Sequence, residues 1–250
     1  MAKQNIFDNE TFFEGYRNLR DKEVNANNIF EIPALFSLLP DLTGKKVLDL
    51  GCGFGEHCKM FIEMGAESIV GIDISEKMLE VARKENADPK ITYLNMPMED
   101  LYKLTENDTD RFDVAVSSLA LHYVDDFSGV VSEVFKLLNE GGSFIFSQEH
   151  PLNTCHGKGE RWTMDENGKK LHVNLSNYCV EKEYESAWFV ENVQKKHRMF
   201  STIMNTLIEN GFSIEKVVEP MPTDEIIEKY PWYDDNYHKP DFLLVKSVKK

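Results

Sequence analysis

Three glycines at alternate positions constrain this chain more than any other feature of its sequence. Gly51, Gly53 and Gly55 lie in VLDLGCGFGE (47–56), directly after an apolar run that contains Asp49. Residues without a Cβ let the chain bend sharply and let a ligand approach the backbone closely. A turn of this kind behind a buried strand predicts a binding site at the end of that strand.

A regular alternation of strands and helices surrounds this turn. Ser75 is the expected N-cap of one of the helices. Alternating elements of this kind predict an α/β fold with a doubly wound parallel sheet that carries helices on both faces. The predicted strands are KVLDL (46–50), SIVGID (68–73), ITYLN (91–95), RFDVAVSS (111–118) and SFIFSQ (143–148), and the predicted helices are 55–64, 75–86 and 127–138.

The alternation begins after a helical N-terminus and is interrupted once. Phe12, Tyr16 and Leu19 recur at roughly helical spacing in the first forty residues. After the fifth strand, turn signals and polar and aromatic residues replace the alternation. It resumes with a helix at about 195–210 and two strands, FSIEKVVE (212–219) and DFLLVKSV (241–248). We therefore predict one domain composed of a helical lid (1–40), a ligand-binding core (41–149), an insertion (150–193) and a C-terminal helix and strand pair (194–250).

The composition argues against several classes of partner. Acidic residues outnumber basic residues 43 to 28, which gives a net charge of −15. Nucleic acids and anionic membranes are bound mainly by clustered lysines and arginines, and the densest basic cluster, QKKHR (194–198), is predicted to be a solvated helix face. No apolar run approaches the ~18 residues of a membrane span, and the N-terminus does not resemble a secretion signal. We expect a cytoplasmic protein that binds neither nucleic acid nor membrane.

The cysteines give no sign of a metal site. Cys52, Cys58, Cys155 and Cys179 contain no C-x-x-C pair and no cluster with histidines at zinc-ligand spacing. They are predicted to be reduced and mostly buried thiols, and no metal is expected.

A carboxylate at the end of the second strand indicates a nucleoside ligand. Asp73 closes that strand beside the glycine turn, where an acid can bind the two hydroxyls of a ribose. A nicotinamide or flavin site would favour G-x-G-x-x-G, whose third glycine falls where this chain has Glu56. A pyrophosphate would also be repelled by Asp49, whereas a carboxylate suits a ligand with an ammonium group or a positive sulfur. A tight turn that binds no ligand is the remaining alternative.

Four motifs follow one another along the chain: VLDLGCGFG (47–55), GIDISEKMLEVA (71–82), FDVAVSSLALHYVDD (112–126) and LLNEGGSFIFS (137–147). In this order they resemble the class I S-adenosylmethionine-dependent methyltransferases, in particular the small-molecule type with a methyltransferase type 11 core, over residues 40 to 220. The resemblance implies a Rossmann-like seven-stranded sheet with its last strand antiparallel. It also implies methyl transfer from S-adenosylmethionine to a small molecule, with S-adenosylhomocysteine as product. A non-catalytic cofactor-binding protein and a nucleotide-dependent oxidoreductase are the alternatives.

The resemblance further implies which residues hold the cofactor. Gly51, Gly53 and Gly55, with Asp49 nearby, would hold its amino-acid part, and Asp73 would bind the ribose. Core packing for the apolar side chains and for the lid tyrosine, and a solvated position for the lid arginine, are the alternatives. The other implied contacts are Ile74 and Met78 flanking the adenine, Met98 and Glu99 at its edge, Ser117, Ser118 and Leu119 on the floor near the methyl group, and Tyr16 and Arg20 of the lid at the carboxylate.

Two histidines are candidates for a general base. His122 follows the fourth strand and His150 ends the fifth, so both are expected where this fold binds its ligands. Pro151 favours an extended conformation at His150, and an unperturbed imidazole titrates near neutral pH. We predict that His150 contacts the methyl acceptor and takes its proton, with His122 as the alternative. Local hydrogen bonding of both rings is the competing explanation.

The insertion and the N-terminal helix are predicted to form the acceptor pocket together. The insertion supplies Trp162, Tyr178, Trp188 and Phe189, which could form an apolar wall. Core packing of these rings is the alternative.

Overall fold

The protein is built around one large β-sheet. The structure, a computed structural model, describes residues 5–20, 22, 24–106, 111–155 and 159–250. The strands in these ranges are Lys46–Leu50 (β1), Ser68–Asp73 (β2), Ile91–Asn95 (β3), Phe112–Ser117 (β4), Leu138–Glu149 (β5), Trp162–Met164 (β6), Lys170–Val173 (β7), Lys182–Trp188 (β8), Val190–His197 (β9), Phe212–Val218 (β10) and Phe242–Lys249 (β11). The large sheet has the order β10-β11-β5-β4-β1-β2-β3.

Strand direction in this sheet agrees with the prediction. β1 pairs in parallel with β2 and with β4, so Val47 lies opposite Ile69 on one side and Val114 on the other. β11 runs antiparallel to both of its neighbours, β5 and β10. The predicted seven-stranded α/β sheet with its last strand antiparallel is therefore confirmed.

Helices cover both faces of the sheet. Successive residues of β1 belong to different hydrophobic clusters: Val47 is in the cluster that contains Phe61 and Leu244, whereas Leu48 is in the cluster that contains Phe144. Because side chains alternate across a strand, two separate cores are expected of a sheet that is buried on both faces. The α-helices are Glu10–Arg20 (α1), Ile32–Leu38 (α2), Glu56–Glu63 (α3), Glu76–Glu85 (α4), Tyr102–Glu106 (α5), Phe127–Leu137 (α6), Pro151–Thr154 (α7), Phe200–Glu209 (α8) and Asp224–Lys229 (α9).

The N-terminal region is helical, as predicted, and docks on the end of β2. A 3₁₀ turn at Ile6–Asp8 precedes α1, and a π-helical turn at Asn27–Glu31 precedes α2. The hydroxyl of Ser75 accepts the N–H of Met78, which confirms Ser75 as the N-cap of α4. The same hydroxyl donates to Asp8 at 2.6 Å and so ties the N-terminal turn to the core.

In its described residues the insertion forms the antiparallel hairpin β6–β7 and most of the hairpin β8–β9, whose second strand continues beyond residue 193. The helix predicted at 195–210 is wrong in its first turn, because β9 continues to His197 and α8 begins at Phe200. Burial along β9 alternates: Lys195 and His197 are buried, whereas Lys196 is half-buried. The QKKHR segment is therefore mostly a strand and not a solvated helix face, because pairing with β8 outweighs its helical propensity.

Some predicted chemical features of the chain can be compared directly with the structure. Cys52, Cys58 and Cys155 are buried free thiols, as predicted, and Cys179 is an exposed one. Across the described residues, every helix is too short or too polar to cross a bilayer.

Candidate active site

A cavity of about 680 Å³ opens at the carboxyl ends of β1, β2, β3 and β4. Its floor is formed by the loops that follow these strands, and its roof by the N-terminal segment and the β8–β9 hairpin. A smaller pocket of about 50 Å³ adjoins it beneath α1. Among the described residues, the two linings share Tyr16, Gly51, Gly53, Ser118 and Leu119.

The glycine turn has the conformation that its sequence predicts. Gly51, Gly53 and Gly55 have φ values of 74°, 53° and 77°, in the left-handed region that favours glycine. A Cβ at Gly51 would lie 2.5 Å from the Cβ of Ala120, and a Cβ at Gly55 would lie 2.3 Å from the hydroxyl of Tyr93. A Cβ at Gly53 would meet no atom of the described residues within 4 Å. Gly53 is therefore the glycine whose backbone faces open space.

Asp73 lies beside this turn and is held by backbone amides. Its Oδ2 accepts the N–H of Gly53 at 2.9 Å and its Oδ1 accepts the N–H of Ser75 at 2.8 Å. Burial raises the pKa of Asp73 to about 6, against the lowering effect of these hydrogen bonds. Asp73 lines the large cavity at the end of β2. The structure thus fixes a carboxylate next to the exposed backbone of Gly53.

The lid helix brings a tyrosine and an arginine to the smaller pocket. Tyr16 and Arg20, four residues apart on α1, both line it. Arg20 forms an ion pair with Glu56 at the start of α3, and its side chain is 12% exposed. Tyr16 packs against Phe54 of the glycine turn, with 5.8 Å between ring centroids. A cation and a phenol therefore lie at one end of the glycine turn, and Asp73 lies at the other.

Residues 41–217 match the methyltransferase domain family. A structure of an S-adenosylmethionine-dependent methyltransferase from Mesorhizobium loti is 38% identical, covers 88% of this chain and 97% of that one, and has a TM-score of 0.78. The chain is also 39% identical to an uncharacterized protein of Haemophilus influenzae, over 99% of this chain and 98% of that protein. The ubiquinone biosynthesis O-methyltransferase of Bordetella avium is 32% identical over 50% of this chain and 52% of that protein.

The chain belongs to the S-adenosylmethionine-dependent methyltransferases. It is an enzyme of this class, and S-adenosylmethionine is its cofactor. The site is compatible with that cofactor, because the open backbone at Gly53 borders both spaces, with the carboxylate of Asp73 in the larger one and the guanidinium of Arg20 in the smaller one. This result excludes the nucleotide-dependent oxidoreductase. The sequence agrees, because Glu56 stands where the G-x-G-x-x-G motif would have its third glycine.

Most of the predicted cofactor residues of this methyltransferase line one of the two spaces. Met78 is buried and also lines the large cavity, so core packing does not exclude a contact with the cofactor at this position. Met96, Pro97 and Ala120 also line the cavity and were not among the predicted contacts. The predicted residues in the large cavity are Tyr16, Gly51, Gly53, Asp73, Ile74, Met78, Met98, Glu99, Ser118 and Leu119, and Arg20 lies in the smaller pocket.

Three predicted cofactor residues lie outside the described linings of both spaces. Asp49 is buried in the sheet, where its Oδ2 accepts the thiol of Cys58 at 3.2 Å, and burial raises its pKa to about 7. Ser117 is fully buried and donates to the carbonyl of Leu50 at 2.9 Å. Gly55 precedes the first residue of α3 and acts as its N-cap. All three residues shape the floor of the site from behind, and their contact with the cofactor stays a prediction.

The two histidines predicted to act as bases also lie outside the described lining of the cavity. His150 Nδ1 accepts the N–H of Leu152 at 3.1 Å and its Nε2 lies 2.9 Å from a carboxylate oxygen of Glu219. His122 is buried, and burial lowers its pKa to about 3. Both rings are engaged locally, so the structure gives the proposed base role no geometric support, and it stays a prediction.

The aromatic residues of the insertion do not form the predicted wall. Trp188 and Phe189 pack edge-on against Phe12 of the lid, with 5.4 and 5.6 Å between ring centroids. Trp162 packs on His238, and Tyr178 accepts the N–H of Phe200 through its hydroxyl. These four rings hold the insertion against its surroundings and lie outside the described cavity lining.

The roof of the cavity is polar. Lys196 of β9 lies 2.6 Å from a carboxylate oxygen of Asp125, and it also pairs with Glu183 of β8. Gln194 lies two residues before Lys196 and lines the cavity with these three residues. Alternate residues of β9 lie on the same face of the strand, so Gln194 and Lys196 could have been placed on the cavity side together, but only after the segment had been recognised as a strand. The sequence analysis therefore predicted that the insertion borders the pocket but did not identify Glu183, Gln194 and Lys196 as residues of its lining.

Proposed function

We propose that the enzyme transfers the methyl group of S-adenosylmethionine to a small molecule enclosed between the strand ends and the β8–β9 hairpin. One observation indicates that the acceptor is small. The N-terminal segment and the hairpin both line the cavity, and they contact each other through Phe12, Tyr16, Trp188 and Phe189. A cavity closed on this side suits a metabolite better than a polymer.

The charge of the chain supports the same choice. Acidic residues exceed basic ones by a wide margin, and the cavity lining carries Asp125 and Glu183 around Lys196. A nucleic-acid phosphate would be repelled by this surface. The similarity to a ubiquinone biosynthesis O-methyltransferase covers only about half of each chain, so it does not specify the acceptor.

We assign the cofactor residues by their positions around the glycine turn. Asp73 binds the ribose hydroxyls, Ile74, Met78 and Met98 surround the adenine, and Arg20 with Tyr16 binds the amino-acid carboxylate. When bound, S-adenosylmethionine supplies a methyl group on a positively charged sulfur. The protein contributes alignment of acceptor, methyl group and sulfur and exclusion of water, which together account for much of the acceleration of such reactions.

A screen for turnover tests this proposal. The protein is incubated with S-adenosylmethionine and fractionated metabolite pools, and the S-adenosylhomocysteine released is converted to homocysteine and measured. Parallel reactions contain transfer RNA, DNA fragments or a protein lysate. We expect product only with a metabolite fraction, identified by a mass increase of one methylene group. Turnover with a macromolecular pool and none with metabolites would overturn the small-molecule assignment.

A further inference from the structure

A buried carboxylate lies behind the floor of the cavity. Glu31, the last residue of the π-helical turn, is fully buried. Its Oε1 accepts the hydroxyl of Ser118 at 3.1 Å and also the hydroxyl of Ser147. Within the described residues, its Oε2 has no hydrogen-bond partner. Burying a carboxylate oxygen without a partner is costly, so a site that retains one suggests a function.

Ser118 connects this carboxylate to the reacting part of the site. The sulfur of S-adenosylmethionine joins the ribose to the amino-acid chain, so it belongs where the large cavity meets the smaller pocket. Among the described residues that line both spaces, only Tyr16 and Ser118 have polar side chains. Ser118 is the one that donates a hydrogen bond to Glu31.

The backbone around Ser118 is held in a strained but defined conformation. Leu119 has a φ of 51°, a left-handed conformation that a leucine rarely adopts. Its N–H is directed at the carbonyl of Ser147 at 3.1 Å and at the hydroxyl of Ser147 at 3.0 Å. The hydroxyl of Ser147 also donates to Glu31. One serine of β5 thus fixes both the floor and the carboxylate behind it, and strain of this kind is found mainly at functional sites.

We propose that Ser118 and Glu31 form the path by which the acceptor loses its proton during methyl transfer, an inference that rests on the proposed function. The acceptor's nucleophilic atom forms a bond to the methyl carbon as the carbon–sulfur bond breaks and its electron pair remains on sulfur. The proton of the acceptor passes to the hydroxyl oxygen of Ser118, and the hydroxyl proton of Ser118 passes to Oε1 of Glu31. After the product leaves, the proton returns from Glu31 through the hydroxyl of Ser118, which lines the cavity, to solvent.

The protonation state of Glu31 is suited to this role near neutral pH. Burial raises the pKa of Glu31 to about 7, while hydrogen bonds from Ser147 and Ser118 and the charge of Arg20 act in the opposite direction. The titratable groups that act on it are Arg20 and Tyr16, which both belong to α1. Glu31 is therefore neutral well below pH 7 and becomes charged, and able to accept a proton, as the pH rises through 7.

The test uses two cofactor analogues and requires no acceptor. In sinefungin, a carbon that bears an ammonium group replaces the sulfur and its methyl group, whereas S-adenosylhomocysteine is uncharged at that position. Calorimetry gives both affinities for the wild type, Glu31→Gln and Ser118→Ala. The control is Asp113→Asn, which alters a carboxylate at the opposite end of β4 that accepts the N–H of Lys46.

We expect Glu31→Gln to weaken sinefungin at least fivefold at pH 8 and to change S-adenosylhomocysteine affinity by less than twofold. Ser118→Ala should also lower the ratio of sinefungin affinity to S-adenosylhomocysteine affinity, and Asp113→Asn should leave that ratio unchanged. In the wild type the preference for sinefungin should increase between pH 6 and pH 8, and in Glu31→Gln it should be flat.

Three outcomes would overturn the inference. Equal losses for both analogues in Glu31→Gln would place Glu31 at the ammonium group that the analogues share. An unchanged ratio in Glu31→Gln would make Glu31 a packing residue, and an unchanged ratio in Ser118→Ala would remove Ser118 from the path. Wild-type protein that binds neither analogue would instead contradict the proposed function.

Discussion

The two walls of the cavity are built in different ways. The strand-end wall consists of loops whose backbone is fixed by hydrogen bonds to the end of the neighbouring strand. The N–H groups of Gly51 and Cys52, for example, donate to the carbonyl of Ile72. The roof consists of the lid and the β8–β9 hairpin, which are far apart in sequence and are held by aromatic rings and ion pairs. The comparison indicates that the floor is preformed, whereas the roof opens at a lower free-energy cost than the core.

The largest expected effect is the release of the roof by Phe12→Ala. Phe12 is fully buried and contacts Tyr16, Trp188 and Phe189. Removing a buried phenylalanine typically costs ~3–5 kcal/mol. Hydrogen exchange should show a large loss of protection in α1 and in β8–β9, with β1 unchanged. Equal loss of protection in α1 and β1 would mean that the two walls unfold together, and Tyr102→Ala, at an exposed ring, should leave both as they are.

The next effect concerns the floor. Asp73→Ala should weaken S-adenosylhomocysteine ten- to a hundredfold, about 1.4–2.8 kcal/mol, because it removes the ribose ligand and the acceptor of the Gly53 amide. Asp113→Ala is the control, since Asp113 also accepts a backbone N–H, but at the amino end of its strand. Calorimetry on both variants decides the assignment. If the two variants bind S-adenosylhomocysteine equally well, Asp73 is not the ribose ligand.

The same contrast explains what the sequence could predict. Each element of the floor is specified by a short stretch of sequence: the first is an apolar strand, the second is the run of three glycines, and the third is an acid at the end of the next strand. Gly51, Gly53 and Asp73 could therefore be located from spacing alone, and the structure places them together. Asp49 shows the limit of the same reasoning, because its motif position did not reveal that its side chain turns into the sheet towards Cys58.

The roof depends on contacts that no local pattern encodes. Lys195 and Lys196 are neighbours with opposite surroundings: the first is buried against Glu149 and the second faces the cavity with Asp125 and Glu183. From sequence alone, a run of charged residues is interpreted as an exposed helix face unless the strand that pairs with it is known. Glu31 was missed for a related reason, since its two serine partners lie 87 and 116 residues away.

A smaller effect tests whether the open backbone at Gly53 serves the ligand. Gly53 and Gly44 both have positive φ values, 53° and 70°, and in the described part of the chain a Cβ at either would meet no atom within 4 Å. Replacing either by alanine should cost roughly 1–2 kcal/mol of stability through backbone strain, measured by chemical unfolding. Only Gly53→Ala should also weaken S-adenosylhomocysteine, by about tenfold. Equal affinities for the two variants would show that the ligand does not approach Gly53.

The smallest expected effect is on the latch between the roof and the floor. Lys196→Met removes the ion pairs to Asp125 and Glu183, whose side chains are 62% and 43% exposed. Such pairs contribute about 0–1 kcal/mol and are screened by salt. The dissociation rate of S-adenosylhomocysteine, measured by stopped-flow fluorescence, should therefore rise by no more than about fivefold. At 1 M NaCl the dissociation rate from the wild type should approach the rate from the variant.

Lys136→Met is the control, because Lys136 pairs with Glu133 on α6 and lies outside the described lining of both spaces. A rate that rises equally in both variants would show that the ion pairs of the hairpin do not hold the roof closed, and would leave the aromatic contacts with the lid as the described interactions that could do so.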